Sequence, residues 1–371
     1  AGRNCLFGVG RRYCPPEMTP IASQGAPSLA ELSVDETAAS ITGRYSLGQT
    51  LGEGRFSQVV AATCVRTGAD VALKAMALVE VTDDKEAREM LAQEVAVLRR
   101  ANGCQGIVGL REVLATSETL YLVLERVHGC ELFDAISAAE PAGAMAASLV
   151  RPLLSQLFAA LAALQGLGCT HRDVKPDNLM VSGLDAPHLA RLVLIDFGYA
   201  CCATRGLKGL AGSPEYAAPE VLTWLDEEGG PRDEGGAVYS CTCDMWSAGV
   251  TAYAMLTGTV AYDLPEDGGG SAVCKAVRSA KPSFSSAVWH GSGAALGALV
   301  KACLRADPTK RPTPHEAACH PALEATLSAG YHPTPARDAA AAGATSSPAA
   351  CPQPTPAGGA AAGGAAGGGG A

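Results

Sequence analysis

The sequence contains no uninterrupted apolar run close to the roughly 20 residues that a membrane-spanning helix requires. Its longest apolar stretch, Leu153 to Leu167, includes Ser155, Gln156 and Gln165, so we predict a buried helix there. Positively charged residues are fewer than negatively charged ones: the sequence has 28 Lys and Arg residues and 37 Asp and Glu residues, which gives a formal net charge of −9. This balance argues against nucleic acid as a main partner, which needs clustered Lys and Arg. Basic peptides would suit the surface better.

Calcium and zinc motifs are missing as well. The 14 cysteines include Cys201-Cys202 and Cys241-x-Cys243, but these pairs lack the two matched knuckles of a zinc site. We interpret the cysteines as reduced packing thiols and leave open a redox-sensitive role for Cys201 and Cys202. The sequence has no Asp-x-Asp-x-Asp-Gly loop of an EF-hand and no basic amphipathic helix suited to calmodulin. It therefore gives no support for calcium regulation.

Composition divides the chain into three parts. Residues 1–43 mix Gly, Pro, Ser and Ala without periodicity, and we predict a flexible leader. Residues 332–371 consist mostly of Ala, Gly and Pro, and we predict a disordered tail because such a segment buries too little side chain to offset ordering entropy. Residues 45–323 carry the patterns of a folded domain, with an acidic, glycine-rich surface insertion at about 225–240.

Periodicity within the folded part changes from strands to helices near Glu125. Apolar alternation on both sides of Gly52 and Gly54 predicts a small antiparallel sheet. A helical repeat then places Glu94 on an apolar face, so this carboxylate should have a buried partner. A long apolar-faced helix is predicted over Leu149 to Leu164. The fold class is therefore α+β.

Two short segments carry the chemistry: His171-Arg172-Asp173-Val174-Lys175-Pro176-Asp177-Asn178 and Asp196-Phe197-Gly198. Phosphoryl transfer needs a carboxylate that orients the attacking hydroxyl and further acidic or amide groups that hold a metal ion against the phosphates. Asp173 is the candidate base, and Asn178 and Asp196 are the candidate metal ligands. Taken singly, each would be equally typical of a turn or a helix cap.

Upstream elements fit the same chemistry. The glycine turn Leu51-Gly52-Glu53-Gly54-Arg55-Phe56-Ser57-Gln58-Val59 allows backbone N–H groups to approach phosphate oxygens, although a hairpin would also use glycines. Lys74 ends the short apolar strand Val71-Ala72-Leu73-Lys74, from which it could reach phosphates and pair with Glu94.

In this order the motifs resemble the eukaryotic protein kinase family, serine/threonine type, over Tyr45 to Leu323. The resemblance implies a bilobal fold, with a mainly antiparallel β N-lobe (45–125) that holds one regulatory helix and a mainly helical C-lobe (128–323). It implies ATP and Mg²⁺, with Asn178 and Asp196 holding the metal. The implied catalytic residues are Asp173, Lys175, Asn178 and Lys74. The implied nucleotide contacts are Leu51, Gly52, Glu53, Gly54, Ser57, Val59, Ala72, Lys74, Glu94, Glu125, Val127, Glu131 and Asp196.

The resemblance also suggests the substrate class. Lys175 looks like the lysine typical of serine/threonine kinases, and Ser213 like the hydroxyl residue that braces Asp173 and Lys175. Three further residues are implied to serve as scaffold. Glu220 should pair with Arg311, and Asp244 should hold the catalytic-loop backbone. Two motifs, Ser213-Pro214-Glu215 and Ala218-Pro219-Glu220, are similar to a peptide-binding platform and disfavour a small-molecule kinase.

Ser57, in place of a third glycine, and Glu131-Leu132-Phe133-Asp134 are similar to the calcium/calmodulin-dependent-type branch. Gly209 occupies the position at which the family often carries an activating phosphothreonine, although Arg172, the residue that would pair with that phosphate, is present. Either Thr204 substitutes or the loop is ordered without modification, and we predict constitutive basal activity. Glu131 and Asp177 suggest a mild preference for arginine upstream of the acceptor residue.

The favoured hypothesis is thus an active kinase that uses MgATP to phosphorylate serine or threonine in protein substrates, located in the cytoplasm. The alternative is a pseudokinase that binds nucleotide or partners as a scaffold without catalysis. The presence of Lys74, Asp173, Asn178 and Asp196 favours the first hypothesis.

Overall fold

The computed structural model describes residues 36–37, 41–54, 57–79, 84–140, 143–225, 230, 232, 234–263, 270–279 and 282–324. The predicted tail lies outside these residues, as does the leader apart from residues 36–37 and 41–43. Arg55 and Phe56 of the glycine turn and part of the acidic insertion also lie outside them.

A six-stranded sheet forms the N-terminal lobe: β1 (Glu36–Thr37), β2 (Tyr45–Glu53), β3 (Gln58–Cys64), β4 (Asp70–Ala77), β5 (Leu110–Ala115) and β6 (Thr119–Glu125). The order of the strands across the sheet is β1-β5-β6-β4-β3-β2. Neighbouring strands are antiparallel, as predicted, except that β1 runs parallel to β5. Val71 and Leu73 of β4 point to the same face and are buried there, as alternation along a strand requires.

The end of the predicted leader has a defined place on this sheet. Glu36 and Thr37 pair with Leu114 and Ala115 of β5. Ile41 is buried in a cluster with the first residue of β2. A strand of two residues has no periodicity, so the sequence pattern could not separate it from the rest of the leader.

Helix α1 (Lys85–Ala101) confirms the helical repeat around Glu94. Its N-cap residue is Asp84, whose side chain accepts hydrogen bonds from the backbone N–H groups of Glu86 and Ala87 at 2.8 and 3.2 Å. Such a cap satisfies N–H groups that have no partner inside the helix. Leu91 and Leu98 are buried on the same face as Glu94.

Helices make up most of the C-terminal lobe: α2 (Leu132–Ala138), α3 (Ala147–Gly166), α4 (Thr242–Thr257), α5 (Gly270–Arg278), α6 (Ala294–Cys303), α7 (Pro314–Ala318) and α8 (Pro321–Glu324). A small antiparallel sheet joins β7 (Cys130–Glu131), β8 (Leu179–Ser182) and β9 (Arg191–Leu194). The sheet lobe and the helical lobe together confirm the α+β bilobal prediction.

The centre of the helical lobe contains α3 and α4. By length and composition α3 is apolar enough to cross a bilayer, but it packs against α4, α7 and β9 and buries eight residues, among them Leu153, Leu157 and Leu161. This confirms the buried helix expected from the sequence. Every residue of α4 from Cys243 to Leu256 is buried, so α4 is a rigid support for the loops that contact it.

Candidate active site

The small sheet brings the two candidate metal ligands together. Leu179, the first residue of β8, pairs with Leu194, the last residue of β9, so the chain enters β8 and leaves β9 at the same end. The carbonyl of Asn178 accepts a hydrogen bond from the backbone N–H of Ile195 at 3.0 Å. Asn178 and Asp196 therefore lie at one edge, although seventeen residues lie between them in the sequence.

Asp173 lies next to this edge with its carboxylate fixed on both oxygens. Its Oδ1 accepts a hydrogen bond from the backbone N–H of Ser213 at 2.8 Å, and its Oδ2 accepts one from Nδ2 of Asn178 at 2.9 Å. Asn178 Nδ2 also donates to the Asp173 carbonyl at 2.8 Å. Asp173 is only 4% exposed, so the rotamer is held by packing as well as by hydrogen bonds.

Lys175 completes the Asp173 cluster, which we define as Asp173, Lys175, Asn178 and Ser213. Its Nζ lies 3.1 Å from Asp173 Oδ2 and donates to Ser213 Oγ at 2.6 Å. Burial acts to lower the pKa of Lys175, but the carboxylates of Asp173 and Asp177 outweigh it and raise that pKa. The prediction that Ser213 braces Asp173 and Lys175 is confirmed.

Helix α4 holds the backbone of the loop that carries Asp173. The carboxylate of Asp244 accepts hydrogen bonds from the backbone N–H groups of His171 and Arg172 at 2.8 and 2.7 Å, which confirms its predicted scaffold role. These bonds stabilise Arg172 in the left-handed region, at φ 68°, where a residue with a side chain is strained. Gly212 packs on this turn, and a Cβ there would lie 2.2 Å from the Arg172 carbonyl oxygen.

Lys74 of β4 meets two carboxylates from different elements. Its Nζ lies 2.6 Å from Glu94 Oε1 and 3.3 Å from Asp196 Oδ1. The charge of Lys74 lowers the pKa of Asp196 to about 2. Burial raises the pKa of Glu94, whose side chain is 6% exposed, whereas the Asp196 side chain is 47% exposed. Glu94 thus has the partner predicted for it, in a Lys74 side chain that is 14% exposed, and Asp196 remains accessible to a ligand.

The glycine turn joins the end of β2 to the start of β3, where Val59 pairs with Lys74. Gly52 pairs with Val59, and the Gly54 N–H donates to the Ser57 carbonyl at 2.7 Å. A Cβ at Gly54 would lie 2.9 Å from Ser57 Oγ, so a larger residue would crowd the turn. The nucleotide contacts predicted for this turn, including Leu51 and Glu53, stay predictions.

Four more of the predicted nucleotide contacts, Ala72, Glu125, Val127 and Glu131, lie where the sheet lobe joins the helical lobe. Ala72 pairs with Leu124 across β4 and β6, and the Glu125 N–H donates to the Gly109 carbonyl at 2.7 Å. Val127 follows at the junction, and Glu131 ends β7 directly before α2. Nucleotide binding by Ala72, Glu125, Val127 and Glu131 also stays a prediction.

Tyr239 is a site residue that the sequence analysis missed. The Arg172 guanidinium donates a hydrogen bond to the Tyr199 carbonyl at 2.7 Å and faces the Tyr239 hydroxyl. That hydroxyl in turn donates to the Gly209 carbonyl at 3.0 Å. Arg172 therefore meets a tyrosine that bridges it to Gly209, the position that cannot be phosphorylated.

A backbone bridge reinforces this contact. We call residues 199–213 the activation segment. Leu207 in this segment exchanges both backbone hydrogen bonds with Tyr239, at 3.0 and 2.9 Å, and Thr204 accepts one from the N–H of Cys241 at 2.9 Å. Two residues lie between Tyr239 and α4, and the stretch that precedes Tyr239 is too short and irregular for periodicity to carry a signal. Its large ring so close to the start of a buried helix is the only sequence cue.

Glu220 and Arg311 form the predicted scaffold pair. Two guanidinium nitrogens lie 2.6 and 2.8 Å from the two carboxylate oxygens, and the Arg311 side chain is fully buried. Arg311 also donates to the Arg305 carbonyl at 2.8 Å and lies over the ring of Trp246, 5.2 Å from its centroid. The pair joins the chain just beyond the activation segment to the connection between α6 and α7.

Comparison with known proteins agrees with this geometry. The family model described as protein kinase domain matches residues 45–323. Serine/threonine-protein kinase H1 of Homo sapiens is 32% identical over 287 residues, covering 76% of this chain and 61% of that protein. Probable serine/threonine-protein kinase fhkC of Dictyostelium discoideum is 31% identical over 280 residues, covering 75% of this chain and 44% of the relative.

A serine/threonine-protein kinase of Drosophila simulans is 31% identical over 290 residues, covering 78% of this chain and 36% of the relative. The chain thus spans between 36% and 61% of the length of these curated relatives. The family match begins with β2 and ends in α8, so it includes every contact of the candidate site. The chain belongs to the protein kinase family.

Proposed function

We propose that this chain is a protein serine/threonine kinase, which transfers the γ-phosphate of MgATP to serine and threonine hydroxyls of protein substrates. The observation that carries the proposal is that two clusters are complete at once. Lys74 is paired with both Glu94 and Asp196, and the Asp173 cluster is fully hydrogen-bonded. The first cluster suits the phosphates of a nucleotide, and the second suits an attacking hydroxyl.

Asp173 is proposed to orient the acceptor hydroxyl and to take its proton. Hydrogen bonds from Ser213 and Asn178 fix the plane of the carboxylate before a substrate arrives. Because phosphoryl transfer is catalysed mainly by positioning and electrostatics, such preorganisation is the contribution that a protein can make. The ammonium of Lys175, 3.1 Å from Asp173, adds positive charge where the transferring phosphate would pass.

The residues present fit a magnesium ion. Nδ2 of Asn178 is occupied by Asp173, so its side-chain oxygen is the atom that a metal would meet. Asp196 offers a half-exposed carboxylate that stays ionised, because Lys74 lowers its pKa to about 2. Oxygen ligands of this kind suit Mg²⁺, which neutralises phosphate charge when bound. Asn178 and Asp196 would hold it.

Lys74 is proposed to bind the nucleotide phosphates. Burial alone would lower the pKa of Lys74, but the carboxylates of Asp196 and Glu94 raise it above its ordinary value, so the ammonium stays charged. Glu94 holds this ammonium in place from α1. The glycine turn then covers the phosphates with backbone N–H groups, and the junction between the lobes holds the adenine.

Serine and threonine are the proposed acceptors because the Lys175–Ser213 contact is in place at 2.6 Å. The acidic residues Glu131 and exposed Asp177 support a mild preference for arginine upstream of the acceptor. Ser57 and the motif that begins at Glu131 support a place in the calcium/calmodulin-dependent-type branch, without calcium control of this chain.

Activity without phosphorylation of the activation segment is part of the proposal. Arg172 donates to the Tyr199 carbonyl and faces Tyr239, and Tyr239 hydrogen-bonds to Gly209 and Leu207. These contacts supply the neutral equivalent of those that a phosphate would make with an arginine. The pseudokinase alternative lacks a supporting observation, since each residue that catalysis requires is present and held.

The test is transfer of labelled γ-phosphate from MgATP to an arginine-containing serine peptide in calcium-free buffer, with protein from a host without protein kinases. The parent and the matched control Asp185→Asn, an exposed turn residue, should both transfer phosphate, whereas Asp173→Asn should not. Absence of transfer by the parent, with ATP still bound, would overturn the proposal in favour of the pseudokinase scaffold. Equal transfer by the parent and Asp173→Asn would show that the assay measures another activity.

A further inference from the structure

Two cysteines face each other where the activation segment crosses the base of the catalytic loop. Thr170 and Cys201 exchange both backbone hydrogen bonds, at 3.0 and 2.9 Å, in an isolated antiparallel bridge. Cys169 precedes Thr170 and Cys202 follows Cys201. In an antiparallel register these two cysteines are opposite each other, at a position without backbone hydrogen bonds between them. Such pairs place Cα atoms about 4.5 Å apart, which lies within the range of about 4.4 to 6.8 Å that a disulfide spans.

The side chains of the pair meet as the backbone requires. The thiols of Cys169 and Cys202 are close enough to change each other's pKa, and both are free thiols. Helix α1 covers the pair: Gln93 Oε1 accepts a hydrogen bond from the Cys202 N–H at 3.1 Å, and the charge of Arg100 acts on both thiols. Cys169 is 1% exposed, whereas Cys202 is partly exposed, so an oxidant from solvent reaches Cys202 first.

We propose that Cys169 and Cys202 are an oxidative modification site, a dithiol that takes a peroxide and closes to a reversible disulfide between the catalytic loop and the activation segment. Cys201 and Cys202 are adjacent in the sequence, but the partner of Cys202 in the structure is Cys169. The thiol of Cys201 instead donates a hydrogen bond to the Ala203 carbonyl at 3.9 Å.

The local environment supports the order of the two steps. The neighbouring Cys169 thiol and the charge of Arg100 lower the pKa of Cys202 to about 7, and the same neighbour contact raises the pKa of Cys169. About half of Cys202 is thus thiolate at neutral pH, whereas Cys169 stays a thiol. Thiolates react with oxidants much faster than thiols do.

The chemistry balances with one peroxide for each disulfide. The Cys202 thiolate attacks one peroxide oxygen, the O–O bond breaks, and the departing hydroxide takes a proton, which leaves Cys202 as a sulfenic acid and releases water. The sulfur of Cys169 then attacks the Cys202 sulfur, the S–O bond breaks, and the Cys169 proton leaves with that oxygen as a second water. The two thiols lose two electrons in total, and the peroxide gains them.

The disulfide should stabilise the folded arrangement that is already present. The bridge at Thr170 and Cys201 is formed before oxidation, so closing the bond requires little backbone movement. The link closes a loop of roughly 30 residues that includes Asp173 and Asp196. We expect oxidation to raise the melting temperature by about 5 °C, the effect of a disulfide that closes a loop of this length in a domain of this size.

The experiment treats the full chain with hydrogen peroxide, blocks remaining thiols with an alkylating agent and maps peptides by mass spectrometry without reductant. The parent and the control Cys201→Ser should give the linked Cys169–Cys202 peptide, and dithiothreitol should release it. Cys202→Ser should give no link. Cys169→Ser should accumulate sulfenic acid on Cys202, which a cyclic dione probe traps.

Three results would overturn the proposal. They are absence of the linked peptide from the oxidised parent, a link from Cys202 to another cysteine, and a melting temperature that falls when the link forms. Because the mass and the melting temperature of the parent are measured without a kinase assay, these results do not depend on the proposed function. They also do not depend on the folding of any variant.

Discussion

Replacing Tyr239 by phenylalanine tests whether a tyrosine holds the activation segment. The substitution keeps the ring, which is 4% exposed, and removes only the hydroxyl. That hydroxyl faces the Arg172 guanidinium and donates to the Gly209 carbonyl at 3.0 Å. Leaving the buried Gly209 carbonyl without this donor costs about 1 to 3 kcal/mol. Since the Tyr199 carbonyl still accepts from Arg172, we expect a loss of about 2 kcal/mol.

A loss of this size should raise the population of released activation segment by about 30-fold, because each 1.4 kcal/mol is a factor of ten. Arg205 and Lys208 are exposed trypsin sites inside the segment. When opening and closing are fast, cleavage tracks the open population. Trypsin should therefore cut Tyr239→Phe after these residues up to about 30 times faster than the parent, and peptide phosphorylation should fall with it.

Tyr253→Phe is the matched control. Tyr253 is also buried on α4 and its hydroxyl donates to a backbone carbonyl, that of Ser283 at 2.8 Å, away from the catalytic loop. This control should lose stability without faster cleavage in the activation segment. If Tyr239→Phe and Tyr253→Phe are cut there at the same rate, the hydroxyl of Tyr239 does not hold the segment and the reasoning fails.

Three other changes have defined outcomes. Ser213→Ala removes the 2.6 Å contact with Lys175, and steady-state assays should show kcat lowered about tenfold with the KM for ATP unchanged, as for loss of one charged hydrogen bond. Glu220→Ala leaves the Arg311 guanidinium buried without its carboxylate, and urea denaturation should show a loss of about 3 to 5 kcal/mol. Alkylation of Cys202 should be half-maximal near pH 7, because its lowered pKa of about 7 makes the thiolate available at that pH.

Each of these outcomes can be contradicted. A raised KM for ATP in Ser213→Ala would mean that the serine supports nucleotide binding instead of the transfer step. A loss below about 1 kcal/mol in Glu220→Ala would place the pair among weak surface contacts. Alkylation of Cys202 that rises only near the ordinary cysteine pKa of 9 would show that its thiol partner has no effect.

Short motifs predicted most of the candidate site because their residues lie close together in the chain or occupy regular elements. The catalytic loop carries Asp173, Lys175 and Asn178 within six residues, so their proximity follows from spacing alone. Glu94 could be predicted to need a partner because the helical repeat placed a carboxylate on an apolar face. The charge of Lys74 supplied that partner, although Lys74 lies in the middle of β4 and not at its end as predicted.

Contacts between irregular segments could not be predicted in this way. Cys169 meets Cys202, and Arg172 meets Tyr239, only because backbone bridges join loops that have no periodicity. Adjacency in the chain grouped Cys202 with Cys201, and nothing in the sequence indicated Cys169. In an isolated bridge the direct partner is decided by register, and register is a property of the folded chain.

The short strand β1 has a practical consequence for work with the isolated domain. It covers the outer edge of β5, which would otherwise present unpaired backbone groups to other molecules. A recombinant fragment cut at Tyr45, where the family match begins, would uncover that edge and remove buried Ile41. Such a fragment should self-associate more readily than one that starts before Glu36, so the folding unit to express is longer than the sequence motifs indicate.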